Sequence, residues 1–146
     1  MRKKFRSSCI IASALDLIGD KWSLLIIRDM LLYQKKTFKQ LVESDENVAT
    51  NLLSSRLKML ESLEIITKNK LPENKKENIY LLTKKGLDLA PLILEIVEWS
   101  DKHVRPYHTE MNPYEGGASQ VNVIENVQKH YQEFKHQVMG SQSSSC

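Results

Sequence analysis

From Lys21 to Tyr33 the chain places eight large apolar side chains: Trp22, Leu24, Leu25, Ile26, Ile27, Met30, Leu31 and Leu32. One helical face cannot hold them all. The segment reads as a helix enclosed on every side, so the rest of the chain must wrap it and supply the walls of a core. Asp20 is placed to cap this helix, and Arg28 and Asp29 interrupt it, either paired or reaching the surface. With 146 residues, 41% of them apolar and 27% charged, the chain can build one such core without disulfides or metal.

The flanking segments supply the walls. Ser7 and Ser8 are placed to cap a short helix with Ile10, Ile11, Ala14, Leu15 and Ile18 at helical spacing, ended by Gly19. Thr37 followed by Gln40 is a capping box, with Phe38, Leu41 and Val42 inward. After the polar turn Ser44 to Asn47, a helix is expected from about Ala49 to Leu63. Its inward stripe is Leu53, Leu57 and Leu60, flanked by Leu52 and Leu63.

Then the period changes. Ile65 to Leu71 is rich in β-branched residues, Pro72 to Glu77 reads as a polar turn, and Asn78 to Leu82 as a second strand. Thr83 caps the next helix, Lys84 to about Val104, which Pro91 should kink or restart. The expected organisation is a basic arm at 1–8, one domain at 9–104, a loop at 105–120, a helix at 121–138 and a disordered Ser-rich tail at 139–146. The fold class is mainly α with a small β-hairpin.

Charge is unevenly placed. Lys+Arg total 21 and Asp+Glu 18, a formal net of +3. Residues 1–6 hold four basic groups and no acid, so the remainder carries 17 against 18. A second basic concentration runs from Lys68 to Lys76. Local patches of this kind suit a polyanion. Two cysteines, Cys9 and Cys146, make no disulfide framework, so a reducing cytoplasm is expected. The apolar stretch after the basic N-terminus is broken at Ser13 and Asp16, which argues against a signal peptide. No apolar run approaches a membrane span, so no membrane partner is expected. His103, His108, His130 and His136 lack metal-ligand spacing, and no phosphate-loop, dinucleotide or nucleophile-elbow motif occurs. No metal, no cofactor and no enzymatic activity are expected.

Two features carry function. In a helix–turn–helix the second helix enters the major groove and needs a polar face opposite its core stripe. Thr50, Asn51, Ser54, Ser55 and Lys58 lie off the leucine stripe, with Asn51 the best base-reading candidate. The plain alternative is a solvated surface helix. Directly after it, the hairpin carries Lys68, Lys70, Lys75 and Lys76, offset by Glu73 and Glu77. Such a hairpin is a wing that can reach phosphates; the plain alternative is a solvated turn. A protein-interaction module on the same fold, and a small thiol enzyme built on Cys9, are the competing functional classes. Arg56, close to the Leu53/Leu57 stripe, should be partly structural and paired with an acid.

Cys9, the run Ala14 to Trp22, the segment Leu25 to Asp29, Asn51 to Leu60, Tyr80 to Gly86 and Glu98-Trp99 together resemble the HxlR-type transcriptional regulators. The resemblance spans roughly residues 9–104; one departure is Ile10, where members often carry proline after the cysteine. It implies a dimeric bacterial winged-helix protein related to MarR-type regulators, bound as a homodimer to a pseudo-palindromic DNA operator. In some members the N-terminal cysteine senses oxidants or electrophiles, which makes Cys9 the candidate thiol sensor and a small-molecule or redox effector a candidate partner. Residue chemistry adds that a thiol in the first turn of a helix, after Lys4 and Arg6, is biased toward thiolate. The products would be a sulfenic acid, a mixed disulfide or a bridge to the other subunit's Cys9. The alternative is a small buried apolar side chain.

The Lys84–Val104 segment has an apolar arc of about 240°, wider than one core requires. Leu87, Ala90, Leu94 and Val97 form one stripe. Leu89, Leu92, Ile93, Ile96 and Trp99 form the adjacent one, assigned to the dimer interface. Ile124, Val127, Tyr131, Phe134 and Val138 make a further seam of helix pairing. Trp22, Trp99 and Tyr107 could line an effector pocket, or serve as core and interface aromatics.

Overall fold

The computed structural model describes residues 4–114 and 120–140. Its elements are α1 (Ile10–Ile18), α2 (Ser23–Tyr33), α3 (Phe38–Val42), α4 (Thr50–Ser62), β1 (Ile66–Leu71), β2 (Asn74–Leu82), α5 (Lys84–Leu87), α6 (Ala90–His103), a 3-10 turn (Arg105–Tyr107) and α7 (Gln120–Gly140). Helix α2 runs through the middle, with Ile26, Ile27, Met30 and Leu31 buried. Around it close Leu41 of α3, Leu53, Leu57 and Leu60 of α4, Ile66 and Leu82 of the hairpin, Ile93 of α6 and Tyr131 of α7.

The caps follow the side-chain chemistry. Asp20 Oδ2 accepts the backbone N–H of Trp22 and of Ser23 at the head of α2. Thr37 and Gln40 exchange the two bonds of a capping box at α3. Asn47 turns the chain between α3 and α4 at φ 56°, a left-handed conformation that asparagine tolerates. Thr83 accepts from the Gly86 N–H at α5. Here the backbone of Gly86 approaches β1 so closely that a Cβ would lie 2.4 Å from the Ile65 carbonyl oxygen. Gly86→Ala should therefore cost about 1–3 kcal/mol by overpacking, read as a lowered denaturant midpoint.

Several expectations are corrected. Cys9, in extended conformation, occupies the N-cap position of α1 without a side-chain cap bond, and its N–H donates to Ser7 Oγ; Ser7 and Ser8 do not occupy the cap. The Lys84–Val104 segment does restart, as Pro91 leads one to expect: it divides at Asp88 and Leu89, and Pro91 sits in the first turn of α6. The expected loop contains the turn Arg105–Tyr107, and α7 runs two residues into the expected tail. The rest of that tail with Cys146, and the Gly116-Gly117 pair, lie outside the described residues.

The hairpin departs most. Its turn is only Pro72-Glu73, and Asn74 already pairs with Leu71. Lys75, Lys76 and Glu77 belong to β2, in the stretch where the register shifts, rather than to a polar turn.

A second correction concerns α6 and α7. Ile93 lies buried in the protomer's own core, which withdraws it from a partner surface, and the half-buried Leu89 packs in part against that core. The seam on α7 likewise turns inward: Tyr131 is fully buried, and Val127 and Phe134 pack on the same core. Part of the surplus apolar arc of α6 is thus satisfied within one chain.

Candidate nucleic-acid interface

Helices α3 and α4 form the helix–turn–helix. Burial of Leu53, Leu57 and Leu60 turns the opposite face of α4 outward, where Thr50, Asn51, Ser55 and Lys58 are exposed and Ser54 is half-buried. Asn51, Ser54, Ser55 and Lys58 line one open groove together with Arg56, Met59 and Ser62; Thr50 stands at the first turn outside it. The Asn51 carboxamide oxygen accepts the Leu52 N–H at 2.9 Å, and the side chain is exposed.

Two ion-pair groups hold this unit. Arg56 Nε donates to Asp20 Oδ2 at 2.9 Å, tying α4 to the head of α2, so the acidic partner expected for Arg56 is Asp20. Burial raises the Asp20 pKa, but hydrogen bonds from Ser23 and the Trp22 and Ser23 amides, with the Arg56 charge, bring it below the usual carboxylate range. The second group starts from the buried Asp29. It pairs with Arg28 at 2.6 Å, accepts from Ser44 Oγ and lies 3.8 Å from the Lys35 ammonium. Arg28 continues to Glu46 at 2.8 Å. The arginine bond holds the Glu46 carboxyl below its ordinary pKa. Asp29 and Arg28 thus fasten the turn between α3 and α4 to the central helix.

The wing follows directly. Lys68 and Lys70 alternate along β1, opposite Tyr80 and Asn78, and both are exposed. Lys75 and Lys76 are exposed on the outer half of β2. Residue reasoning overlooked what braces the other edge of β2: the Tyr80 N–H donates to the Lys36 carbonyl at 2.7 Å, and Thr37 bridges to Ile79. One bridge is too short to leave a periodic signature.

Cys9 is exposed in the protomer, which removes the buried-residue alternative for this chain by itself. Its carbonyl accepts from the Ser13 N–H and Oγ. The Arg6 guanidinium, expected beside it, instead pairs with Asp16 at 2.5 Å. Helix α1 buries only Ile18, and Ile10 and Ile11 are 89% and 71% exposed. Leu92, Ile96 and Trp99 of α6 are exposed as well, as is Tyr107. Trp22, by contrast, packs on the core. No His/Cys/Asp/Glu group suited to a metal occurs among the described residues, and none of their helices is long and apolar enough to cross a membrane.

Residues 17–108 match the family model described as HxlR-like helix-turn-helix. The HTH-type transcriptional regulator YodB of Bacillus subtilis is 37% identical over 97 residues, 66% of this chain and 86% of that one. The crystal structure of PA1607 superposes with a TM-score of 0.61 at 31% identity, over 77% of this chain and 73% of that one. The quinone-bound structure of B. subtilis YodB superposes with a TM-score of 0.52 at 31% identity, over 63% of this chain and 96% of that one. Helix–turn–helix, wing and these likenesses agree: the chain belongs to the HxlR-like helix-turn-helix family, whose members are DNA-binding transcriptional regulators and not enzymes.

Proposed function

We propose that the protein is a cytoplasmic, homodimeric regulator that binds a pseudo-palindromic operator through Asn51, Ser54, Ser55 and Lys58, with hairpin lysines on phosphates. The observation that carries this reading is the exposed polar face of α4 standing directly before a lysine-bearing hairpin. Small hydroxyl and amide side chains let a helix enter the groove and reach base edges. The exposed apolar side chains of α1 and of α6 at Leu92, Ile96 and Trp99 supply the dimer surface, since surface of this kind marks an association site. Light scattering should return the mass of two chains at micromolar concentration; one chain would remove the two-fold operator from the reading.

Selection of bound duplexes from a random pool is the direct test. It should enrich two related half-sites about one helical turn apart. On the selected site, Asn51→Ala should reduce discrimination by about 1–3 kcal/mol, the worth of one bidentate base contact. Enrichment of no sequence would leave only non-specific binding.

The same reading extends to Cys9. Its thiol is exposed at the cap of a helix that buries little in its own chain, and the related YodB has been solved with a quinone bound. Quinone-type electrophiles and oxidants are therefore the proposed effectors. Modification at Cys9 would press on the subunit interface and disturb the roughly 34 Å spacing of the two recognition helices. Diamide should lower operator affinity of the wild type and leave Cys9→Ser unchanged. Equal responses of the two proteins would reduce Cys9 to an exposed cap residue.

A further inference from the structure

We infer that α7 is the positioning element of the wing, with Tyr131 and Lys135 acting as positioning residues that hold β2 at Leu82. The inference rests on the reading of the hairpin as a phosphate-contacting wing. It concerns a helix that begins at Gln120, beyond the segment matched by the family model, which ends at residue 108.

A two-stranded hairpin has two open edges, and each leaves backbone groups that need partners. At the base of the wing, Thr83 N–H turns toward β1 and donates to the Ile65 carbonyl at 3.0 Å. Alternation along the strand sends the Leu82 amide the other way, and both polar groups of Leu82 are taken by α7. The Leu82 N–H donates to the Tyr131 hydroxyl at 2.8 Å, and Lys135 Nζ donates to the Leu82 carbonyl at 2.8 Å. Two side chains of a helix thus do what a third strand would do. One turn earlier, Gln128 Nε2 donates to the Leu87 carbonyl at 3.0 Å and holds the end of α5.

The second brace of β2 leads to the same helix. The carbonyl of Lys36 accepts the Tyr80 N–H, and the Lys36 ammonium sits 5.7 Å from the centre of the Phe134 ring. Phe134 in turn rests on Tyr131, with ring centres 5.6 Å apart. Burial pushes the Tyr131 phenol up to about 12, so its hydroxyl stays neutral at physiological pH.

The geometry makes the base of the wing decisive. From Leu82 to Lys76 the strand spans about 20 Å, so a rotation of about 5° at the base moves the lysine end by about 2 Å, more than a hydrogen bond tolerates. A loosened base also adds ordering entropy to every phosphate contact made further out.

The test uses the full chain with Tyr131→Phe, which keeps the ring and leaves the Leu82 N–H without its acceptor, and Lys135→Met, which keeps the stem. Hydrogen exchange should accelerate at Leu82 and Tyr80 while the α4 amides of Leu57 and Leu60 keep their rates. Affinity for a random-sequence duplex should fall about three- to tenfold, the size of one hydrogen bond's net worth. Combined with glutamine at all four wing lysines, Lys68, Lys70, Lys75 and Lys76, either change should add no further loss, because the wing through which it acts is already disabled. Additive losses, or exchange that accelerates equally in β2 and α4, would overturn the inference while leaving the wing intact as a reading. Wild-type affinity in the protein with all four wing lysines changed to glutamine would overturn the wing reading and the inference together.

Discussion

Asp29→Ala should remove about 3 kcal/mol of stability, a large share of the margin of an ordinary domain. Asp29 is 3% exposed, and its carboxylate neutralises Arg28 and Lys35 while accepting from Ser44. Deleting one member of a buried ion group costs about 3–5 kcal/mol, because the surviving charges and polar groups stay desolvated without a partner. The lower end applies here. The Arg28 and Lys35 side chains are 22% and 23% exposed, so water can hydrate part of what Asp29 leaves behind, and Arg28 keeps Glu46. The Ser44 hydroxyl, itself buried, loses its acceptor and keeps the Lys35 ammonium, which donates to its Oγ at 3.3 Å. Asp29→Asn retains an acceptor of nearly the same shape and should recover about half of the loss. Chemical denaturation of the three proteins, compared at equal slope, reads both values. A loss below about 1 kcal/mol for the alanine variant would mean that the group is a surface network in energetic terms.

That group also shows what residue order can and cannot convey. The eight apolar residues around Asp29 place the helix at the centre of the core, and α2 is found there. They leave the interrupting pair either joined or exposed; the structure joins the two directly and ties them to Ser44 and Glu46, in a turn fifteen to eighteen residues away. Arg56 and Asp20 are 36 residues apart, and no local pattern selects one acid among many at that separation. Caps are local, and Thr37 with Gln40 and Thr83 with Gly86 stand where their short-range chemistry puts them.

Apolar spacing reports that a face is covered but not by which chain. The seam of α7 has the spacing of a partner-facing helix, yet Tyr131 closes the core of its own protomer. Ile10, Ile11 and Leu15 have the spacing of a buried helix, yet one protomer leaves them exposed. The hairpin fails for a different reason. Asn74, Lys75, Lys76 and Glu77 are poor strand formers, and composition alone makes them a turn. The tight Pro72-Glu73 turn brings Asn74 opposite Leu71, and Lys75 to Glu77 continue the strand through the register shift without partners of their own on β1. The polar face of α4 is the readable part of the candidate interface, because its polar residues simply fall opposite three buried leucines.

The corrected hairpin changes what its lysines should do. Successive residues of a strand point to opposite faces. Lys68 and Lys70, two apart on β1, share a face, whereas Lys75 and Lys76 are neighbours on β2 and cannot both face one DNA backbone in regular strand geometry. Changing all four to glutamine should therefore remove about three phosphate contacts rather than four. Each contact contributes about 0.9 to the slope of log affinity against log salt, so the slope should flatten by about 2.7 and affinity at 0.1 M salt should fall by at least about a hundredfold. The loss should be nearly uniform over DNA sequences, because phosphates carry no sequence information. Of the single variants, Lys75→Gln and Lys76→Gln should differ, one flattening the slope by about one contact and the other leaving it unchanged. Fluorescence anisotropy on an operator and on a random duplex, over a salt series, measures all three quantities. A sequence-selective loss would assign the hairpin to base reading. Equal effects of the two single variants would show that the irregular register swings both side chains to the same side. An unchanged slope in the fourfold variant would remove the wing from the DNA interface and leave α4 to bind alone.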